Sequence, residues 1–119
     1  MSIEKILLFQ IESSQEAQIR RLATNKKIRV IPVEVSSLGS TLGELTDGVM
    51  KPAPAFVAVP KESLIVFCNV SEKHFDKMLF EMRSKKIAVD FKAILTETNR
   101  HWTLPQLYRE LERERKRME

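Results

Sequence analysis

The chain has 119 residues, of which 43% are apolar and 30% are charged; this composition is typical of a small globular domain and excludes a disordered chain. Lysine and arginine outnumber aspartate and glutamate by 20 to 16, which gives a net charge of +4 and a pI near 9.4. The longest runs of large aliphatic and aromatic residues, 6–9 and 64–67, are too short to span a bilayer, and we expect no export signal at the N-terminus. The single cysteine, Cys68, excludes an internal disulfide, so we expect a cytoplasmic protein without a membrane partner.

The first half of the chain predicts two strands and two helices. In order, these are a strand at residues 5–11, a helix from Ser13 to near Asn25, a strand at residues 28–35 and a short helix between Thr41 and Gly48. The first strand is a continuous apolar run, which suits burial on both faces. The second contains Pro32, which cannot donate to a ladder, so we expect it at a sheet edge. Both helices begin with a capping box, Ser13 with Glu16 and Thr41 with Glu44.

The second half predicts the same kinds of element in the same order. They are a strand at residues 64–68, a helix capped by Ser71, a strand at residues 91–95, a polar loop at residues 96–102 and a helix capped by Thr103 with Gln106. Apolar residues at positions 75, 78, 79 and 82 form one helical stripe, and those at 104, 107, 108 and 111 form another. Lys92 interrupts the last strand and marks a second edge.

The correspondence between the halves indicates an internal duplication of a βαβα unit, with chance similarity as the alternative. Lys26–Lys27 corresponds to Lys85–Lys86, and residues 41–45 correspond to residues 103–107. Both lysine pairs follow predicted helices, where cations favour the helix dipole; a phosphate-facing patch is the other interpretation. We predict a single domain over residues 1–119, with pseudo-repeats at about 1–48 and 64–119. A proline-rich extended connector at residues 49–63 joins them and could include an edge strand at residues 55–59.

Two architectures place the first and third strands at the centre of a sheet. One is an α/β fold with three layers, in which a four-stranded, mostly parallel sheet in the order 2-1-3-4 carries helices on both faces. The other is a ferredoxin-like α+β fold with helices on one face only. The continuous apolar character of the central strands favours cover on both faces, and the helix between the second and third strands favours a right-handed parallel crossover. We predict the three-layer sheet.

The polar loop after the last strand is the candidate binding site. Its proposed binding residues are Thr96, Thr98, Asn99, Arg100 and Trp102. In a doubly wound sheet this loop follows the carboxyl end of a strand, where such folds bind ligands, and the N–H groups of the next helix together with Arg100 suit an anion. The structural alternative is that Thr98 and Asn99 only form a turn and that Trp102 packs on Leu107 as a hydrophobic staple.

Other residues with reactive side chains give weaker signals. Cys68 ends a strand shortly before His74, which permits a thiolate nucleophile, although cysteine more often acts as a small buried apolar residue. Two histidines and one cysteine, scattered along the chain, predict no metal site, and no glycine-rich phosphate loop occurs, so no cofactor is expected. Residues 109–119 carry five cations and four anions, which predicts a solvated, ion-paired helix end rather than a basic arm.

The segment LIVFCNVS, the helix after it and the segment AILTETNRHWTLPQLYREL resemble a bacterial family known as domain of unknown function 3783. The resemblance rests on Phe67–Cys68 before a Ser-capped helix, on the loop at residues 95–103 and, in the first half, on residues 40–43. It extends over the chain and is clearest at residues 64–111, although Asn69 stands where a glycine is expected. The family has no assigned activity, so the resemblance implies kinship without a mechanism.

Three functions follow from these patterns. The main prediction is a small non-enzymatic binding or regulatory module that holds an anionic ligand or a protein partner at the Thr96–Trp102 loop. The alternative is a domain that binds single-stranded nucleic acid, with Phe9 and Phe67 as an open stacking platform; this requires both rings to be exposed. A second alternative is an enzyme that uses Cys68.

Overall fold

Residues 3–54 and 56–117 are described by a computed structural model, and their strands and helices follow the predicted order. The elements are β1 (Lys5–Phe9), α1 (Ser13–Thr24), β2 (Arg29–Val33), α2 (Leu42–Thr46), β3 (Leu64–Cys68), α3 (Glu72–Ser84), β4 (Phe91–Ile94) and α4 (Leu104–Arg117). They fall into two units, one built from the chain up to Pro32 together with Glu62–Ile94, the other from Val33–Lys61 and the chain from Leu95 onward. Both halves of the sequence contribute to each unit, so the units do not coincide with the predicted pseudo-repeats, and the single-domain organisation stays a prediction.

The first unit contains a four-stranded sheet in the order β2-β1-β3-β4, which confirms the predicted strand order and the α/β class. The sheet is mixed, because its two central strands run antiparallel to each other. Strands β1 and β3 are antiparallel, with Lys5 opposite Cys68 and Phe9 opposite Leu64, whereas β3 and β4 are parallel. The segment between β2 and β3, residues 34–63, is long enough to return the chain to either end of the sheet. A helix within that segment therefore does not determine the direction of β3.

Both faces of the central strands are buried. The side chains that pack with α1 and α3 alternate along the two strands: Ile6, Leu8, Ile65 and Phe67. The ring of Phe67 meets the ring of Phe75 edge to face, with 4.8 Å between their centroids. The intervening residues, such as Leu7 and Val66, point to the opposite face and are also buried. This double burial matches the predicted cover and argues against the ferredoxin-like alternative.

Helices α1 and α3 end in the same way. Lys27 and Lys86, just beyond the two helices, have left-handed φ angles of 59° and 57°. The N–H groups of Ile28 and Ile87, which follow them, each donate at 2.9 Å to a carbonyl five residues earlier. This is the Schellman arrangement, in which a buried apolar residue follows a left-handed one.

Lys26 lies at the end of α1 with its side chain only 5% exposed. Its Nζ donates to the carbonyl oxygen of Leu22 at 3.1 Å and also pairs with the carboxylate of Glu81 in α3. This lysine therefore acts at a helix end, as one of the two interpretations predicted, and it joins α1 to α3.

The second unit is organised by the start of α2. Helix α2 begins with the predicted capping box, since the Thr41 N–H donates to Glu44 Oε1 at 2.9 Å and the Glu44 N–H donates to Thr41 Oγ1 at 3.2 Å. Thr41 also forms an antiparallel bridge with Thr103, and the Leu42 N–H donates to the carbonyl of Trp102 at 2.8 Å. These contacts hold the beginning of α2 against the beginning of α4.

The segment before α2 packs closely against the connector. Ser40 is fully buried, and its Oγ donates to the carbonyl of Val49 at 2.8 Å and accepts from the Lys51 N–H at 2.6 Å. Gly39 lies so close to the connector that a Cβ atom there would meet the carbonyl oxygen of Pro52 at 2.0 Å. Only glycine fits at this position without a shift of the backbone.

Two local predictions from the sequence are wrong. The Ser13–Glu16 capping box does not form, because α1 has Glu12 at its N-cap and the Glu16 N–H donates to the Glu12 carbonyl at 2.8 Å, so Ser13 is already helical. The extra strand at residues 55–59 also does not form: residues 56–59 are irregular, with prolines on both sides, and Ala55 lies outside the described residues. Phe56 is fully exposed.

Candidate functional site

The loop between β4 and α4 is folded around Asn99. The Asn99 Oδ1 atom accepts from the Thr96 N–H at 2.7 Å, and the Asn99 N–H donates to Thr96 Oγ1 at 3.0 Å. This reciprocal pair begins a 3₁₀ turn at Asn99–His101, and Asn99 is buried. Thr96 and Asn99 therefore shape the loop through these two hydrogen bonds.

Thr98 and Arg100 are exposed on the same loop. The Arg100 side chain lies along α2, where a Cβ atom at Gly43 would come within 3.5 Å of its Nε. Its Nη1 atom is 3.7 Å from Glu97 Oε1. An ion pair of this length between exposed groups contributes little to stability. The guanidinium of Arg100 therefore remains accessible to an anion.

Trp102, at the end of the loop, lines a groove along α4. The groove has a volume of about 210 Å³ and is lined by Trp102, Gln106, Arg109, Glu110 and Arg113. The four α4 residues stand at positions i, i+3, i+4 and i+7 and form one stripe of the helix. The opposite stripe contains Leu104, Leu107 and Tyr108, which are buried. Because the apolar stripe of α4 is buried, the polar stripe lies on the opposite side of the helix, where it lines the groove.

Hydrogen-bond donors dominate the groove. Gln106 Oε1 accepts from the Thr103 N–H at 2.9 Å, which leaves the amide N–H groups of Gln106 to donate. Arg113 Nη1 lies 3.1 Å from Glu110 Oε1, whereas Arg109 makes no ion pair within residues 3–54 and 56–117. Two arginines face one glutamate, and that glutamate is already paired. The free groups in the groove are therefore donors and positive charge.

The groove includes one of the five residues predicted as binding residues, Trp102. The assignment of Thr96, Thr98, Asn99 and Arg100 as binding residues stays a prediction. Sequence reasoning missed Gln106, Arg109 and Arg113, because the mixed charges of the C-terminal segment predicted a solvated helix end. Their spacing of three and four residues was the only signal in the sequence, and it does not reveal which side chain they face.

The residues predicted for the two alternative functions are not accessible. Cys68 is completely buried, and its Sγ donates to the carbonyl of Val66 at 3.7 Å. A nucleophilic thiolate needs access and an activating partner, and His74 instead contacts Glu4. Phe9 and Phe67 are buried as well, so they form no open platform for bases.

The contact between Glu4 and His74 was not predicted. His74 Nδ1 lies 2.9 Å from both carboxylate oxygens of Glu4, and Glu4 Oε1 also accepts from the Ser71 N–H at 2.9 Å. Burial raises the pKa of Glu4, but the hydrogen bond from Ser71 and the contact with His74 outweigh it, so this pKa lies below its ordinary value. Ser71 Oγ in turn accepts from the His74 N–H at 3.2 Å, which confirms Ser71 as the predicted N-cap of α3.

Two further properties concern the part of the chain that the structure describes. There, no group of three or more His, Cys, Asp or Glu side chains is placed to hold a metal ion. No helix in the same ranges has both the length and the apolar character needed to cross a membrane.

Residues 63–118 match the model of a protein family described as "Domain of unknown function (DUF3783)". This match confirms the predicted resemblance for the second half of the chain. The DUF3783 segment begins just before β3 and includes the loop, Trp102 and the groove on α4, whereas the first-half residues 40–43 lie outside the match. Asn69, which stands where a glycine was expected, adopts a left-handed φ of 63°, a conformation that asparagine tolerates. Neither the curated proteins nor the solved structures include a match to this chain.

Proposed function

We propose that this chain is a small non-enzymatic binding or regulatory module that holds an anionic ligand in the groove between Trp102 and α4. The observation that carries the proposal is that the aromatic residue of the predicted loop and two arginines of α4 line one groove. Arginine donates to carboxylate and phosphate oxygens through charge-assisted hydrogen bonds. The net charge of +4 on the chain also favours the approach of an anion.

The residues of the loop take different parts in this proposal. Thr96 and Asn99 hold the loop in shape through their mutual hydrogen bonds. Arg100 is exposed and supplies a further cation to a ligand that extends beyond the groove. The single cysteine and the family resemblance favour the cytoplasm of a bacterium as the setting.

We also propose that the two halves of the chain arose by duplication. Gln10 and Asn69 follow β1 and β3, and both have left-handed φ angles of 56° and 63°. Lys27 and Lys86 share a left-handed conformation after α1 and α3, and each pair is separated by the same 59 positions. The left-handed conformation is uncommon for residues other than glycine, so its recurrence at one interval supports a common origin.

A titration with inorganic tripolyphosphate, followed by NMR at low ionic strength, tests the anion site. The chain has a single tryptophan, so one indole N–H signal reports on the groove. Wild type should show a saturable shift of this signal. Arg109→Gln and Arg113→Gln should each weaken binding about two- to fivefold, as expected for one ion pair at an exposed site.

The matched control is Arg20→Gln, which removes the same charge from an exposed position on α1. The control should bind like wild type. Equal affinities for Arg109→Gln, Arg113→Gln and Arg20→Gln, or shifts confined to residues outside the loop and α4, would refute the proposed site.

A further inference from the structure

The groove on α4 combines a flat aromatic ring with hydrogen-bond donors, and a simple anion would use only the donors. Trp102 is half-buried and lines the groove together with Gln106, Arg109 and Arg113. A base stacked on an aromatic side chain is a recurrent mode of nucleotide recognition, and it tolerates any base because every base has a π-face. Trp102 thus adds a preference for ligands that carry a base, which the arginines alone do not provide.

We propose that the groove binds a nucleotide unit, with its base stacked on Trp102 and its phosphate paired with Arg109 and Arg113. This inference rests on the proposed anion site and specifies its ligand. The polar groups support it, because the Gln106 amide, Arg109 and Arg113 all present donors. A nucleotide is rich in acceptors, with phosphate oxygens for the arginines and a base carbonyl or ring nitrogen for Gln106.

Glu110 is the one carboxylate among the residues that line the groove, and it lies 3.1 Å from Arg113 Nη1. It neutralises part of the charge on Arg113 while holding its guanidinium in place. Arg109 has no such partner among the described residues and is the stronger candidate for the phosphate. Removal of the Glu110 charge should therefore strengthen the binding of a phosphate-bearing ligand, and it should weaken the binding of a cation.

The size of the groove favours one unit of a strand over a free nucleotide. Its volume of about 210 Å³ is below the roughly 300–1,000 Å³ of pockets that enclose a small ligand. A free nucleotide would keep much of its surface in water there. In a single strand the neighbouring phosphates can reach Lys116 and Arg117, which continue the stripe of Arg109 and Arg113 by three and four residues. We therefore expect an oligonucleotide to bind more tightly than a mononucleotide.

The first experiment uses the wild-type protein. Tryptophan fluorescence, which reports only on Trp102, is measured during titration with oligothymidylate of about ten nucleotides, with an abasic oligomer of equal length and with thymidine monophosphate. Oligothymidylate should quench the fluorescence and bind most tightly, and the abasic oligomer should bind more weakly without the same quenching. If the mononucleotide binds as tightly as the oligomer, the proposal that the groove binds one unit of a single strand is refuted.

The second experiment measures anisotropy of a labelled oligothymidylate with variants. Trp102→Leu should weaken binding about 5- to 150-fold, the effect of one lost base stack, and Trp102→Phe should restore most of it, which separates stacking from a folding defect. Arg109→Gln should lower the slope of log affinity against log salt by about 0.7, as expected for one phosphate contact to a single strand. Glu110→Gln should bind more tightly than wild type, and Arg20→Gln should bind like wild type.

The outcomes distinguish this inference from the proposed anion site. If Arg109→Gln weakens binding of tripolyphosphate and of the oligomer while a folded Trp102→Leu binds the oligomer like wild type, the groove is an anion site but not a nucleotide site. If the abasic oligomer binds as tightly as oligothymidylate, the stacking role of Trp102 is refuted. If neither Arg109→Gln nor Arg113→Gln affects any anion, both proposals fail.

Discussion

The ion pair between Lys26 and Glu81 allows the cost of a buried charge to be measured in this fold. The Lys26 side chain is 5% exposed and the Glu81 side chain 26% exposed, so the two charges differ in their access to water. Lys26→Met keeps the apolar part of the side chain and removes the charge. Glu81→Leu keeps a helix-forming residue of similar size and leaves the ammonium group without its anion.

The structure predicts unequal costs for the two substitutions. Removal of one partner from a fully buried pair costs about 3–5 kcal/mol, because the other charge stays buried and unpaired. In Glu81→Leu the ammonium keeps its 3.1 Å hydrogen bond to the Leu22 carbonyl, which reduces the expected loss to about 2–3 kcal/mol. In Lys26→Met the remaining carboxylate can be hydrated, and the loss of the cation at the helix end costs about 1 kcal/mol. The double variant should lie within about 1 kcal/mol of wild type, since it contains no unpaired charge.

Urea unfolding followed by circular dichroism gives these free energies, and the thermal midpoint should fall by about 4 °C for each kcal/mol lost. Asp76→Leu, at an exposed position of the same helix, is the control and should change stability by less than about 0.5 kcal/mol. If Lys26→Met costs as much as Glu81→Leu, or if the two losses simply add in the double variant, the argument from unequal burial is wrong.

Three further predictions concern other contacts. Because the pKa of Glu4 is lowered in the folded state, its contribution to stability is complete above the ordinary value of 4.5 and is lost as the pH falls through the folded value. Glu4→Gln should therefore lower the free energy of unfolding by about 1 kcal/mol at neutral pH. If urea unfolding shows the same difference between wild type and Glu4→Gln in acid, the role of the contact with His74 is contradicted. Gly39→Ala should cost about 1–3 kcal/mol by the same measurement, since its Cβ would meet the Pro52 carbonyl, and a neutral result would show that the connector moves freely. Lys27→Gly should raise stability by about 0.5 kcal/mol by relieving a left-handed φ of 59°, and a loss of stability would refute that strain.

The strand order could be predicted because burial leaves a direct mark on composition. All five residues of β3 are buried, and the sequence LIVFC has no polar residue that would indicate an edge. Pro32 and Lys92 mark β2 and β4 as edges, and both strands lie there. The direction of β3 relative to β1 could not be predicted in this way, because side chains that are apolar on both faces look the same in either direction.

Contacts between distant residues explain most of what sequence reasoning missed. Glu4 and His74 are 70 residues apart, and Lys26 and Glu81 are 55 residues apart, so no local pattern reports that they meet. Thr96 and Asn99 are three residues apart and form the kind of pair that local reasoning can detect, but the same spacing serves a turn as readily as a ligand. Trp102 was predicted as a binding residue from its place in the loop, whereas the proposal of Arg109 and Arg113 needed the direction of α4.

The two halves differ after their second strands, and this difference places the groove in the second half. In the first half, a 3₁₀ turn at Val35–Ser37 leads to the five residues of α2, and in the second half a 3₁₀ turn at Asn99–His101 leads to the fourteen residues of α4. Both helices begin next to the bridge between Thr41 and Thr103, so their starts are held in similar ways. Only α4 continues long enough to place a stripe of arginines beyond its first turn. Residues 112–117 of α4 are all charged and exposed, so this part of the helix buries no apolar side chain. Packing of apolar side chains therefore does not account for the last turns of α4, and the proposed binding groove gives them a role.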